Sequence, residues 1–122
     1  MTSIELDHTI VPARDKERAA RFLARIFDLR YEGPIGPFIA VRLNDGLTFD
    51  FDDRGEHFEV HHYAFRVADR DFDALLARVQ AEGIPWGSHP WSRTNRELNR
   101  DGGGRRFYFD DPDGHVLEAF TR

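Results

Sequence analysis

Apolar and polar positions follow two periods along this chain, and the periods succeed one another in the same order twice. Residues 4–11, IELDHTIV, are rich in β-branched and apolar types and end at Pro12, the pattern of a strand leaving a sheet edge. The repeat then lengthens. Ala19, Phe22, Leu23, Ile26 and Phe27 recur at three and four residues, which predicts a helix capped by Asp15 and ending near Leu29. Period two returns in PFIAVRL and LTFDF, which flank Asn44-Asp45-Gly46, a turn of the positive-φ kind that joins antiparallel strands. A further strand fits around Tyr31.

The order then starts again. HHYAFRVA at 61–68 is a predicted strand, and Asp69 or Asp71 can cap a helix carrying Phe72, Leu75, Leu76 and Val79. Gly83 stands where a left-handed C-terminal residue belongs. IPWG, RRFYF, the turn Asp110-Asp111-Pro112-Asp113-Gly114 and HVLEAF complete the second set. LARI at 23–26 answers LARV at 76–79, Gly46 answers Gly114, and Asp50 and Glu118 each lie four residues past their glycine. Aligning LDHTIVPARD with HHYAFRVADRD sets His8 against His62 and Asp15 against Asp69. Such internal repetition predicts two βαβββ modules, about 1–54 and about 55–122, in one α+β domain spanning 1–122. Residues 85–104, from Pro85 to Gly104, are the main insertion of the second copy and have a loop's composition.

Strand parity decides which side chains can meet. Tyr63, Phe65 and Val67 form a helix-facing apolar set, which turns His62 to the other face and leaves His61 on the helix side. Phe49 and Phe51 likewise leave Thr48, Asp50 and Asp52 opposite. Glu118 shares a face with Val116 and Phe120, where an unpaired charge is costly and a partner is expected. His8 shares its face with Ile4, Leu6 and Ile10. If the helices cover one side of a curved mixed sheet, the concave side collects His8, Asp50, His62 and Glu118. Two imidazoles with one or two carboxylates suit Zn, Fe(II), Mn or Ni rather than copper(I).

Composition narrows the field. The 122 residues are 40% hydrophobic with eleven phenylalanines, enough for a core, and carry a net charge of −5 without a basic run, which argues against nucleic acid. No apolar run is long enough to cross a membrane and the N-terminus lacks the order of a secretion signal, so a cytoplasmic location is expected. The absence of cysteine excludes thiolate ligands. His57 and His89 are read as loop histidines and His115 as structural. DGGGRR lacks the ending of a phosphate loop and is expected to be flexible. Asp110, Asp111 and Asp113 are turn residues rather than a calcium loop, and Arg93 and Arg96 are expected in solvent.

LDHTIVPARD, HHYAFRVADRDFDALLARVQAEGI and FYFDDPDGHVLEAF resemble the vicinal oxygen chelate superfamily, which includes glyoxalase I, extradiol dioxygenases and fosfomycin and bleomycin resistance proteins. NDGLTFDF, GIPWGSHPW and YFDDPDGHVLE are similar to its ChaP-like subgroup, named for an oxygenase that remodels an aromatic polyketide. The resemblance implies His8, His62 and Glu118 as metal ligands, with Asp50 at the place of a fourth, reaching the metal directly or through water. It implies a metal that holds two adjacent substrate oxygens as a Lewis acid. The leading expectation is an Fe(II) dioxygenase acting on an aromatic, catechol-like or polyketide-derived substrate. The alternatives are a Zn or Ni glyoxalase-like isomerase or lyase and a metal-free bleomycin-resistance-type binding protein. Trp86, Trp91, Phe38 and Phe51 are candidate apolar walls, and Tyr108 and Arg106, which share a parity, are candidate donors to a substrate oxygen. Members of this size usually form homodimers, which leaves open whether His8 meets His62 and Glu118 of its own chain or of its mate.

Overall fold

The computed structural model describes residues 2–122 and divides into two compact units, one ending at Glu59 and one beginning at Val60. The first contains β1 (His8–Ala13), α1 (Lys16–Phe27), β2 (Arg30–Ile35), β3 (Phe38–Asn44) and β4 (Leu47–Asp53). Its sheet has the order β1-β4-β3-β2, with β1 parallel to β4 and the other pairs antiparallel. β1 begins at His8 rather than at Ile4. Its pairing with β4 starts just past the hairpin turn, where the Thr48 N–H donates to the Asp7 carbonyl at 3.1 Å, and Ile4 and Leu6, further back, are exposed. Pro12 lies inside β1, which a sheet edge tolerates because the missing N–H has no ladder partner to lose there.

The helix forms where the stripe predicts it. Asp15 is its N-cap and accepts the Arg18 N–H at 3.1 Å. Ala19, Ala20, Phe22, Leu23 and Ile26 are buried, and each large side chain among them stabilises the fold by about 1.5–3 kcal/mol. Asp28 closes the helix in the left-handed region. The β3–β4 turn departs from expectation: neither Asp45 nor Gly46 has positive φ, and the Asn44 carboxamide instead accepts the Gly46 N–H at 2.9 Å. In β4, Phe49 and Phe51 are buried as parity requires, but Thr48 and Asp50 on the other face are buried as well.

The second unit contains β5 (His62–Arg66), α2 (Asp69–Ala81), β6 (Arg106–Asp110) and β7 (Val116–Phe120), with sheet order β5-β7-β6. Again the first strand is parallel to the last, and the hairpin is antiparallel. α2 buries Phe72, Leu75 and Val79. Its N-cap is Ala68, with no side-chain cap, because Asp69 is already helical and its carboxylate faces Arg105 at 3.1 Å. Gly83 takes the left-handed conformation expected of it, at φ +69°.

The extra strand expected at IPWG contracts to a single bridge between Gly87 and Tyr108. The insertion folds back against it: a Cβ on Gly87 would lie 2.1 Å from the Ser92 carbonyl oxygen. Trp86 is buried edge-on to Phe107 at 5.8 Å and borders a cavity with Ile84, Pro85 and Arg96, while Phe51 is a core residue. Trp91 is 81% exposed and stacks on His89 at 4.8 Å. Among the described residues no helix is long and apolar enough to cross a membrane. The result is a mixed α+β fold with two small sheets.

Candidate metal centre

The repeat seen in the sequence is exact in backbone register. In the first unit His8 pairs with Thr48 and Ile10 with Asp50; in the second His62 pairs with Val116 and Ala64 with Glu118. Each histidine thus stands two residues before the partner of its carboxylate, on a strand parallel to it. Even spacing in strands returns side chains to the same face, so both units present an imidazole and a carboxylate together.

In the second unit the pair is in contact. His62 Nε2 lies 2.9 Å from Glu118 Oε1, with the imidazole 44% exposed and the carboxylate 9%. Two donors each about 2.1 Å from one cation and at right angles stand about 3 Å apart, so this spacing suits a shared divalent ion. The partner that parity demanded for Glu118 is therefore His62, together with Arg106, whose Nη1 donates to Oε2 at 3.0 Å. Arg106, expected to face a substrate oxygen, has turned at least one N–H to Glu118. Tyr108 sits opposite Glu118 in the ladder with its ring edge-on to His62 at 6.0 Å. Burial raises its hydroxyl above the ordinary phenol range, with Glu118 adding to the effect and Arg106 opposing it.

The first unit's pair is arranged differently. His8 and Asp50 line one cavity of about 480 Å³ with Glu32, Phe38, Arg42 and Thr48. Asp50 Oδ1 accepts the Thr48 hydroxyl at 3.0 Å. His8 is paired through Nδ1 with Asp7 at 3.0 Å, and that hydrogen bond raises the imidazole pKa, with the Asp50 charge contributing in the same direction. The four expected ligands thus stand as two pairs, one in each unit. Among the described residues no group of three or more His, Cys, Asp or Glu side chains is assembled for a metal.

Several remaining expectations meet their structure here. His115 is fully buried and accepts the His61 N–H at Nδ1, a structural role. Asp111 Oδ1 accepts the N–H groups of Asp113 and His115, both at 2.9 Å, which is turn chemistry. Arg93 is only partly in solvent: its Nε donates to Asp110 at 2.6 Å and its guanidinium also reaches the Pro90 carbonyl. DGGGRR is not simply flexible, because a Cβ on Gly104 would lie 1.9 Å from the Thr121 carbonyl oxygen. Glu32, Arg42 and Thr48 line the site without having been assigned to it from sequence; only Thr48 carried a signal, the parity it shares with Asp50 two residues away.

The chain resembles known proteins over nearly its whole length. The structure of oxidase ChaP-H2 superposes with a TM-score of 0.95 at 41% identity, covering 99% of this chain and 95% of that one. Fosfomycin resistance protein FosX of Mesorhizobium japonicum is 31% identical over 124 positions, covering 95% of this chain and 84% of the relative. Glutathione transferase FosA of Serratia marcescens is 42% identical over 57 residues, 47% of this chain and 33% of that protein, so the match spans about a third of its length. Residues 5–119 match the family model that unites such proteins, and the paired histidine and carboxylate strands fall inside that span. The duplicated register, the donor pairs and these likenesses place the chain in the glyoxalase, bleomycin resistance protein and dioxygenase superfamily, the vicinal oxygen chelate proteins.

Proposed function

We propose that the chain is an Fe(II)-dependent dioxygenase, working as a cytoplasmic homodimer on an aromatic, catechol-like or polyketide-derived substrate. The observation that carries this reading is the contact of His62 Nε2 with Glu118 Oε1 at 2.9 Å on an accessible face. In this reading His62, Glu118 and His8 hold the cation, and Asp50, whose Oδ1 is already engaged by Thr48, bears on it through water. A divalent cation so held supplies Lewis acidity to two adjacent substrate oxygens, and a two-histidine, one-carboxylate set favours non-haem iron while leaving positions open. Tyr108, a phenol that is protonated at neutral pH and whose pKa burial raises further, donates its O–H to a substrate oxygen. The apolar Ile35, Pro37 and Phe38 in the wall of the first-unit cavity accept an aromatic body, and Arg42 supplies positive charge there. The likeness to oxidase ChaP-H2 supports the oxygenase class.

The FosX match favours a second reading, in which the same donors serve Zn, Mn or Ni on a smaller oxygenated substrate, without consuming dioxygen. Metal analysis of protein purified without chelator, then oxygen uptake across a catechol panel under added Fe(II), separates the two. The oxygenase reading expects bound or restorable metal and substrate-dependent oxygen consumption. His62→Ala and Glu118→Ala should each lower metal occupancy and activity by at least about tenfold. Protein that neither carries nor accepts a divalent metal overturns both readings.

A further inference from the structure

The two oxygens of Glu118 have different partners. Oε1 faces His62, and Oε2 accepts from Arg106 Nη1 at 3.0 Å. The guanidinium is held in place rather than loosely paired. It lies 5.3 Å above the Phe120 ring, and the Arg106 backbone N–H and C=O are both bonded to Asn99 on the far side of β6. Arg106 also pairs with Phe120 in the ladder, two residues beyond Glu118. A carboxylate engaged by a fixed cationic donor on one oxygen has a fixed rotation, with the other oxygen turned the opposite way.

The first unit provides an internal control. Ala40 pairs with Asp50 as Tyr108 pairs with Glu118, so the counterpart of Arg106 is two residues before Ala40, at Phe38. Histidine and carboxylate occur in both units at the same register, whereas a guanidinium at the Arg106 position occurs in one; the first unit's Arg42 stands at another register, opposite Thr48, and donates to Glu32. Asp50 is held instead by the Thr48 hydroxyl of its own strand.

Resting on the metal-holding reading above, we propose that Arg106 is a positioning residue: by occupying Oε2 it makes Glu118 offer a cation Oε1 alone. A carboxylate that binds through both oxygens fills two coordination positions, and one that binds through a single oxygen fills one. Arg106 therefore reserves a position for substrate, and does so without touching substrate itself.

Cobalt(II) loaded into the otherwise metal-free protein is the probe, since its visible d–d bands weaken as coordination number rises. Wild type and Arg106→Lys, which keeps a cationic donor, should give the same spectrum. Arg106→Met, checked for folding by circular dichroism, should lose band intensity as Oε2 joins the cation. Identical spectra in all three folded proteins overturn the role of Arg106 while leaving the metal centre standing. Failure of wild type to take up cobalt overturns the centre and the inference together. If Arg106→Met does not fold, the infrared carboxylate bands of wild type decide. A wide splitting that appears on cobalt loading and is absent from Glu118→Gln supports one-oxygen binding, and a narrow one overturns it.

Discussion

Gly83 and Gly104 both stand in connections, yet they are required for different reasons. Gly83 has open space around its Cα but a φ of +69°, a conformation that costs an L side chain about 1–2 kcal/mol. Gly104 has an ordinary extended backbone, and its constraint is the Thr121 carbonyl oxygen, 1.9 Å from where a Cβ would stand. Denaturant unfolding should therefore separate them. Gly83→Asn should be milder than Gly83→Ala, because asparagine tolerates the left-handed region. Gly104→Asn should be no milder than Gly104→Ala, and both should lose about 1–3 kcal/mol through overpacking. The role of Gly83 was legible because it follows a helical stripe directly. That of Gly104 was not, because its neighbour is far along the chain and no local pattern encodes such a contact. Arg93 shows the same limit: its partner Asp110 lies across the insertion, and composition alone assigned it to solvent.

Elements were legible where a local rule fixed them. Asp15 caps α1 as its position predicted, while the matching Asp69 does not cap α2, since Arg105 takes its carboxylate from across the unit. The two helices should respond unequally to the same change. Asp15→Ala should cost about 1 kcal/mol by urea unfolding, the loss of a cap. Asp69→Ala removes an exposed ion pair and should cost less than about 1 kcal/mol. Equal losses would mean that the N-cap bond at 3.1 Å does not act as drawn. Strand limits were harder to read than helix limits. Nothing in IELDHTIV says that β4 starts too late to pair with Ile4 and Leu6, because pairing length is decided by the partner strand.

Across the whole chain, the duplication was readable from two histidines and two carboxylates, and the ladders repeat it residue for residue. What spacing did not reveal is that each pair is held by different neighbours: Thr48 for Asp50, Arg106 for Glu118. Those neighbours come from parity and cross-strand register together, and register is not written in one strand. A further property belongs to the chain as a whole. All three tyrosines, Tyr31, Tyr63 and Tyr108, have hydroxyl pKa values raised chiefly by burial, with Glu17, Asp111 and Glu118 respectively adding negative charge nearby. In the unfolded chain tyrosine ionises near pH 10, so above that pH the unfolded state sheds protons first. The stability these groups contribute is complete below about pH 10 and is lost as pH climbs through their higher folded values. The melting temperature should fall on the alkaline side from about pH 10, and the phenolate absorbance of folded protein should rise at a higher pH than that of urea-unfolded protein. Coincident phenolate titrations of the folded and unfolded protein would contradict this.

The insertion meets the second sheet at two bridges, Gly87 to Tyr108 and Asn99 to Arg106. Those are the β6 residue directly opposite Glu118 and the one whose guanidinium reaches it, so the least regular stretch of the chain is stitched to the back of its most ordered chemistry. A variant library confined to residues 88–98 would retune the setting of Tyr108 and Arg106 while every donor atom stayed in place. For anyone redirecting this scaffold to a new substrate, that loop is the adjustment screw.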